Sequence, residues 1–401
     1  MPSHIVDQQH TAAPPLPPVN LLLTSITLVS LHWSALIAAE TNAVDAANPD
    51  RVSSRPDLAV TTLGFGSCLR QDRPAPIWDT INAARCNAFV LLGDNIYADS
   101  SDPAVFRAKY ARLAAMPGFA KLRETTPLFA TWDDHDYGLN DGGAGFTGAA
   151  VAQKEFCEFF QVPANSPLRT AHGVHDCVTL GPHGKRVQLI LLDTRTFRSP
   201  LKKSPVIPKV TVPNTDADAT VLGEAQWAWL DRRLREPAEI RVVVSSIQLV
   251  ATEHGSEKWG NFPNERARFL NLLRSTKANG VVIVSGDRHL GELSALTPAD
   301  GAPYPLYDLT TSGLNLPAKK PEPTDGAAKE PQTKPAAPRK PQVNRYRLHE
   351  RIYTSSNFGL MRVKWNGPNP SLRLEVCGLD NKPVISRDIP LSELQAVSAP
   401  E

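Results

Sequence analysis

The stretch AFVLLGDNIYAD, residues 88–99, decides how this chain is read: five apolar residues stop at Gly93, and Asp94, Tyr97 and Asp99 follow at once. A buried strand that ends on glycine and a carboxylate sets its oxygens on a tight, exposed turn, where a sheet presents ligands to a hard cation. The pattern recurs along the chain. Apolar runs at 58–65, 127–132, 187–192, 241–247 and 281–284 are followed by Gly66-Ser67-Cys68, Asp133-Asp134-His135, Asp193-Thr194-Arg195, Gln248 and Gly286-Asp287-Arg288-His289. Between the runs, 75–85, 103–116, 149–160, 223–235 and 264–277 show helical apolar spacing. Strands alternating with helices predict an α/β domain, and in such sheets the ligand crevice lies outside the carboxyl ends of the strands. The six polar strand ends are therefore expected to converge.

Composition bounds the alternatives. At 401 residues with 41% apolar content the chain can bury a real core, and a net charge of +2 implies no nucleic-acid binding surface. Its 36 prolines, about twice the usual share, crowd into the first twenty residues and the stretch 316–342. The expected organisation is a leader and linker over 1–50, one domain over 51–390 with a Pro/Lys/Ala-rich inserted loop at 317–342, and a C-terminal tail over 391–401. Strands without helices are expected after Ala295, at 304–311, 351–365 and 371–376. The apolar run 19–39, followed by small residues, reads as a signal segment, although no Lys or Arg precedes Arg51. Secretion or a periplasmic location is expected, and a stable membrane span is not favoured. Five scattered cysteines form no CxxC pair, which speaks against a zinc ribbon, and leave the connectivity of any disulfide open. Residues 143–148, GAGFTG, match GxGxxG but follow a charged loop rather than a strand, and neither GxSxG nor HExxH occurs.

The chemistry of these ends suggests a metal centre. Two cations held a few ångströms apart bind a phosphate's oxygens and lower the pKa of a bound water, and they need a bridging carboxylate. Asp94 is the candidate bridge, with the Tyr97 phenolate one turn away and the Cys68 thiolate suited to a softer cation. The run Asp133, Asp134, His135, Asp136 is too charged to be buried without cations or basic partners. Asp134 and Asn140 are expected as oxygen ligands and His135 as the acid that protonates a leaving alkoxide. Asp287 and His289, one residue apart, are expected on one face of a strand end. Arg195, Arg266 and Arg288 are candidates to hold the phosphate's outer oxygens.

The joint pattern FGSC (65–68), GDNIYAD, WDDHD (132–136), LDTRTFR (192–198), SGDRH (285–289) and NFG (357–359) resembles the PhoD-type alkaline phosphatases, a branch of the calcineurin-like metallophosphoesterases. That resemblance implies a layered α/β/β/α sandwich of two mixed sheets flanked by helices, and a phosphate ester cleaved by metal-bound hydroxide. It implies iron with calcium, zinc or manganese being alternatives, held through Cys68, Asp94 and Tyr97, with Asp134, Asp287 and His289 in further ligand places and His135 as the acid. Aryl phosphate monoesters and diesters both remain candidate substrates. Two other readings stay open: a non-catalytic calcium-binding envelope protein, and a hydrolase of a non-phosphate ester on the same fold.

Overall fold

The computed structural model describes residues 58–318, 343–350 and 352–396. The leader with its apolar run, and all but the first two residues of the inserted loop, lie outside these.

Six strands form the first sheet in the order β14-β13-β12-β1-β2-β3. They are β1 (Thr62–Gly66), β2 (Ala88–Leu92), β3 (Leu128–Thr131), β12 (Phe358–Lys364), β13 (Ser371–Cys377) and β14 (Pro383–Pro390). β1, β2 and β3 run parallel, and the remaining three add antiparallel. The second sheet has the order β10-β11-β9-β8-β5-β4. Its strands are β4 (Asp176–Leu180), β5 (Val187–Leu191), β8 (Ile240–Ser245), β9 (Val281–Ser285), β10 (Gly291–Leu296) and β11 (Leu306–Thr311). Here β5, β8, β9 and β11 are parallel, with antiparallel edges at β4 and β10. A short hairpin joins β6 (Lys202–Lys203) to β7 (Thr211–Val212).

Side-chain alternation explains the layers. In β2, Ala88, Val90 and Leu92 enter a core shared with the second sheet, through Leu189, Val242, Val244 and Ile283, whereas Phe89 and Leu91 enter a separate core on the outer face. That outer core is covered by α1 (Ile77–Ala84), α2 (Pro103–Ala114), α3 (Pro117–Thr125) and α5 (Ala149–Phe159), through Trp78, Phe106, Phe119 and Phe156. The other face of the second sheet is covered by α6 (Gly223–Arg235) and α7 (Pro263–Thr276), through Trp227, Leu230, Phe269 and Leu273. Strands buried on both faces read as unbroken apolar runs, which is why β2, β5, β8 and β9 were legible.

The expected mixed two-sheet sandwich is observed. Among the elements that sequence reading passed over, α3 buries only Phe119 and Leu122 and edge strand β4 only Leu180, whereas β10 is buried throughout and was missed all the same. The expected tail at 391–401 needs correcting at its start. Leu394 is fully buried and its carbonyl accepts from Gly280 N at 2.7 Å, so residues 391–394 belong to the packed domain. No helix among the described residues is long and apolar enough to cross a membrane.

Candidate metal centre

Three turns of the first sheet meet at the candidate site. Leu69 N donates to Asp94 O at 3.0 Å and ties the turn after β1 to the turn after β2. Gly93 lets the second turn approach the third: its φ is +98°, and a Cβ there would lie 2.5 Å from Asp133 Cβ. Cys68 and Asp94 sit in the left-handed region at φ +59° and +51°, a conformation that costs free energy in non-glycine residues and gathers at functional sites.

The charged residues of WDDHD meet distinct fates. Asp133 is fully buried and accepts from Ser246 Oγ at 2.6 Å and from the Arg195 guanidinium. Asp136 belongs to the single turn α4 (Asp134–Tyr137) and spends its lone pairs on the protein. Its carboxylate accepts from Asp94 N (3.2 Å), Asn95 N (3.1 Å), Asn95 Nδ2 (2.6 Å) and Asp133 N (2.6 Å), so it fixes two ligand turns to one another. Asp134 accepts from Asp141 N at 2.7 Å through Oδ2. Its buried Oδ1 has no hydrogen-bond partner, and neither has Oδ1 of Asp94 nor Oδ2 of Asp133, whose other oxygen is taken by Arg195 and Ser246.

Ligand atoms of Cys68, Asp94 and His289 lie within 4.8 Å of one another, as do those of Asp94, Asp134 and His135. Asp94 belongs to both groups. Its Oδ2 receives the Tyr97 hydroxyl at 3.0 Å and lies 3.4 Å from Cys68 Sγ, while Tyr97 Oη is 3.3 Å from His289 Nε2. Thiolate, carboxylate, phenol and imidazole gathered around unpartnered oxygens fit a pair of cations, one of them softer. Burial first, then repulsion from Asp134 and Asp133, pushes the Asp94 carboxyl well above the usual range. Burial and then the neighbouring Asp94 do the same to the Cys68 thiol. Burial also opposes ionisation of Asp134, but Arg195, His135 and the Asp141 N–H outweigh it and hold that carboxyl below its ordinary value. A buried cluster in which Asp94 and Asp134 repel is one that bound cations would relieve.

Asp287 stands beside these groups rather than in them: burial pushes it up to about 7 against the pull of Arg288, with repulsion from Asp134 adding. It and His289 do not share an extended face as expected, because β9 ends at Ser285 and both adopt left-handed backbone, φ +62° and +57°. His289 is placed instead by Ser312, just after β11: Ser312 Oγ accepts from His289 N at 2.7 Å and lies 3.0 Å from Cys68 Sγ. Ser312 was invisible in the sequence except as the residue that follows a strand.

Three expectations do not fit. Arg195, expected at the phosphate, is fully buried between Asp133 and Glu257. Together with Arg198, which donates to Gly142 O (2.6 Å) and Asp141 O (2.5 Å), it braces the loop that presents Asp141 to Asp134. Asn140, expected as a ligand, is exposed. Arg266 is also turned elsewhere, donating to the carbonyls of Leu249 and Val250. Arg288 is buried next to Asp287.

The residue sequence reasoning missed is Asp99, the last of GDNIYAD. Its Oδ1 lies 2.6 Å from His135 Nδ1, with Asp99 half-exposed at the mouth. Burial pulls the His135 pKa down, but the Asp99 hydrogen bond and the charges of Asp94 and Asp134 outweigh it and raise it to about 9. With Nδ1 engaged by Asp99, Nε2 is the nitrogen left to act.

Known proteins share this frame. Alkaline phosphatase D of Bacillus subtilis (strain 168) is 22% identical over 216 residues, an alignment covering 48% of this chain and 36% of that protein. The match therefore spans just over a third of that relative's length. A solved structure of PhoD superposes with a TM-score of 0.62 at 17% identity, covering 86% of this chain and 73% of the other. The PhoD-like phosphatase family model matches residues 63–366, which holds both sheets' parallel strands and every turn of the cluster, and the chain belongs to that family.

Proposed function

We propose that this chain is a metal-dependent phosphoric ester hydrolase with Asp94 as the shared ligand of two cations. The observation that carries this is the pair of buried, unpartnered carboxylate oxygens on Asp94 and Asp134, set where two overlapping ligand groups meet. Cys68, Asp94, Tyr97 and His289 would hold one cation, and Asp94 and Asp134 the other, with Asp287 beside them. The thiol makes iron a fitting partner in the first place and the oxygen donors make calcium fitting in the second, with zinc and manganese as competitors. Bound there, the cations would supply an activated water and charge stabilisation at the phosphoryl oxygens.

The chain's own residues do the rest. His135 donates its proton to the departing alkoxide, and Asp99 holds the ring through Nδ1 so that the other nitrogen faces the ester. Tyr97 stacks against that ring with centroids 4.1 Å apart and restricts its tilt. A calcium site that only stabilised the fold would leave a positioned imidazole and carboxylate at the mouth without a task. Export from the cytoplasm is part of the proposal and rests on the apolar run at 19–39.

The test is elemental analysis of protein purified without chelators, followed by parallel assays on aryl phosphate monoesters and diesters. Metal-dependent turnover of at least one class is expected, lost on chelation and restored by re-addition. Metal-loaded protein that hydrolyses neither overturns the proposal.

A further inference from the structure

With Arg195 sealed beneath the site, a different arginine stands at its mouth. Arg70 lies two residues after Cys68, and its guanidinium carbon is 5.3 Å from the centre of the Tyr97 ring. That same ring carries the His135 imidazole, and its hydroxyl reaches Asp94. One aromatic side chain thus touches the central carboxylate at its tip and holds the proton donor and a guanidinium at its ring.

The loop bearing Arg70 is fixed. Arg70 N donates to Asn315 Oδ1 at 2.6 Å, and Asn315 Nδ2 donates back to the carbonyls of Arg70 (2.8 Å), Arg73 (3.2 Å) and Pro74 (3.4 Å). Asp72 engages Nε and Nη2 of the guanidinium at 3.1 and 3.0 Å, which leaves Nη1 without a protein partner among the described residues. The side chain is still 32% exposed. An ion pair as open as Arg70–Asp72 adds little stability, so its consequence is to set the angle of the fork.

We infer that Arg70 binds the non-bridging oxygens of the substrate phosphate, at the mouth beside His135; this rests on the proposed hydrolase reading. A preset guanidinium at the entrance adds charge-assisted hydrogen bonds to phosphate oxygens that the cation ligands leave uncovered.

Inorganic phosphate is the probe, titrated calorimetrically into metal-loaded wild type, R70A and R70K, with metal content measured on each. R70A is expected to weaken phosphate binding about tenfold or more, the value of a charge-assisted contact, with R70K between the two. KM for an aryl phosphate should rise in step while kcat changes less. Phosphate affinity within about twofold of wild type at equal metal content overturns the assignment. Should R70A fail to fold, R70Q is judged by the same criterion. Phosphate binding needs no turnover, so an inactive wild type that loses phosphate on R70A sinks the hydrolase reading alone, and an active R70A with unchanged affinity sinks only the role of Arg70.

Discussion

Asp94 and Asp193 are both buried aspartates just past a parallel strand, β2 in one sheet and β5 in the other, and their surroundings could hardly differ more. Asp193 accepts from Arg195 N (2.8 Å) and Thr196 N (2.9 Å) through Oδ1, and from Val174 N (3.0 Å) and Thr196 Oγ1 (2.6 Å) through Oδ2. Its lone pairs are spent on the protein. Asp94 meets Tyr97 and Cys68 on one oxygen and nothing on the other, with like charges close by. A strand-end carboxylate is open to a metal only where its neighbours leave it unsatisfied. Position alone makes it only a candidate.

That contrast is open to direct attack. Asp94→Asn should cost roughly 1,000-fold or more in kcat/KM, the several kcal/mol that paired cations supply, together with most of the bound metal by elemental analysis. Full metal occupancy in that variant would break the comparison at its first term. His135→Ala should lower kcat about 100-fold at nearly unchanged metal content, and unchanged kinetics would remove its acid role.

Asp193→Asn should instead act on stability, by about 2–3 kcal/mol in denaturant unfolding, since an amide cannot accept from all the N–H and O–H groups now aimed at it. Metal per folded molecule should stay at the wild-type level, and a proportional loss would show that Asp193 reaches the centre after all. The smallest effect concerns His175, whose ring packs edge-on against Trp229 near Asp193. Burial lowers its pKa below the ordinary 6.5 against the pull of Asp193. A depressed folded pKa means the unfolded chain takes up the proton first, so stability is full above about 6.5 and declines as pH falls below it. His175→Gln should flatten that acid-side decline in unfolding free energy by less than about 1 kcal/mol. An unaltered slope would place the proton uptake elsewhere.

Much of the site could be read directly. Cys68, Asp94 and His289 stand after apolar runs buried on both faces, and Asp134 and His135 after the shorter β3, of which one face is only partly buried. Tyr97 follows from its spacing to Asp94. The errors share one cause, because an arginine or asparagine in a charged motif reads the same whether it faces substrate, solvent or another buried charge. Arg195 is held by Glu257, some sixty residues further along the chain, and no local pattern announces that pairing. Asp99 was overlooked because its partner, His135, sits in a different motif, and Ser312 because a lone serine carries no signal.

By itself the sequence determined the alternation of buried strands with helices, the presence of a carboxylate-rich sheet edge and the family to which the chain belongs, since periodicity and short motifs are local properties. Tertiary structure alone decided which of the strand-end aspartates keep a free oxygen, which arginine faces outward and which histidine nitrogen is left to act. Those outcomes depend on donors brought in from distant segments, and a hydrogen bond between chain-remote groups exists only once the chain has packed.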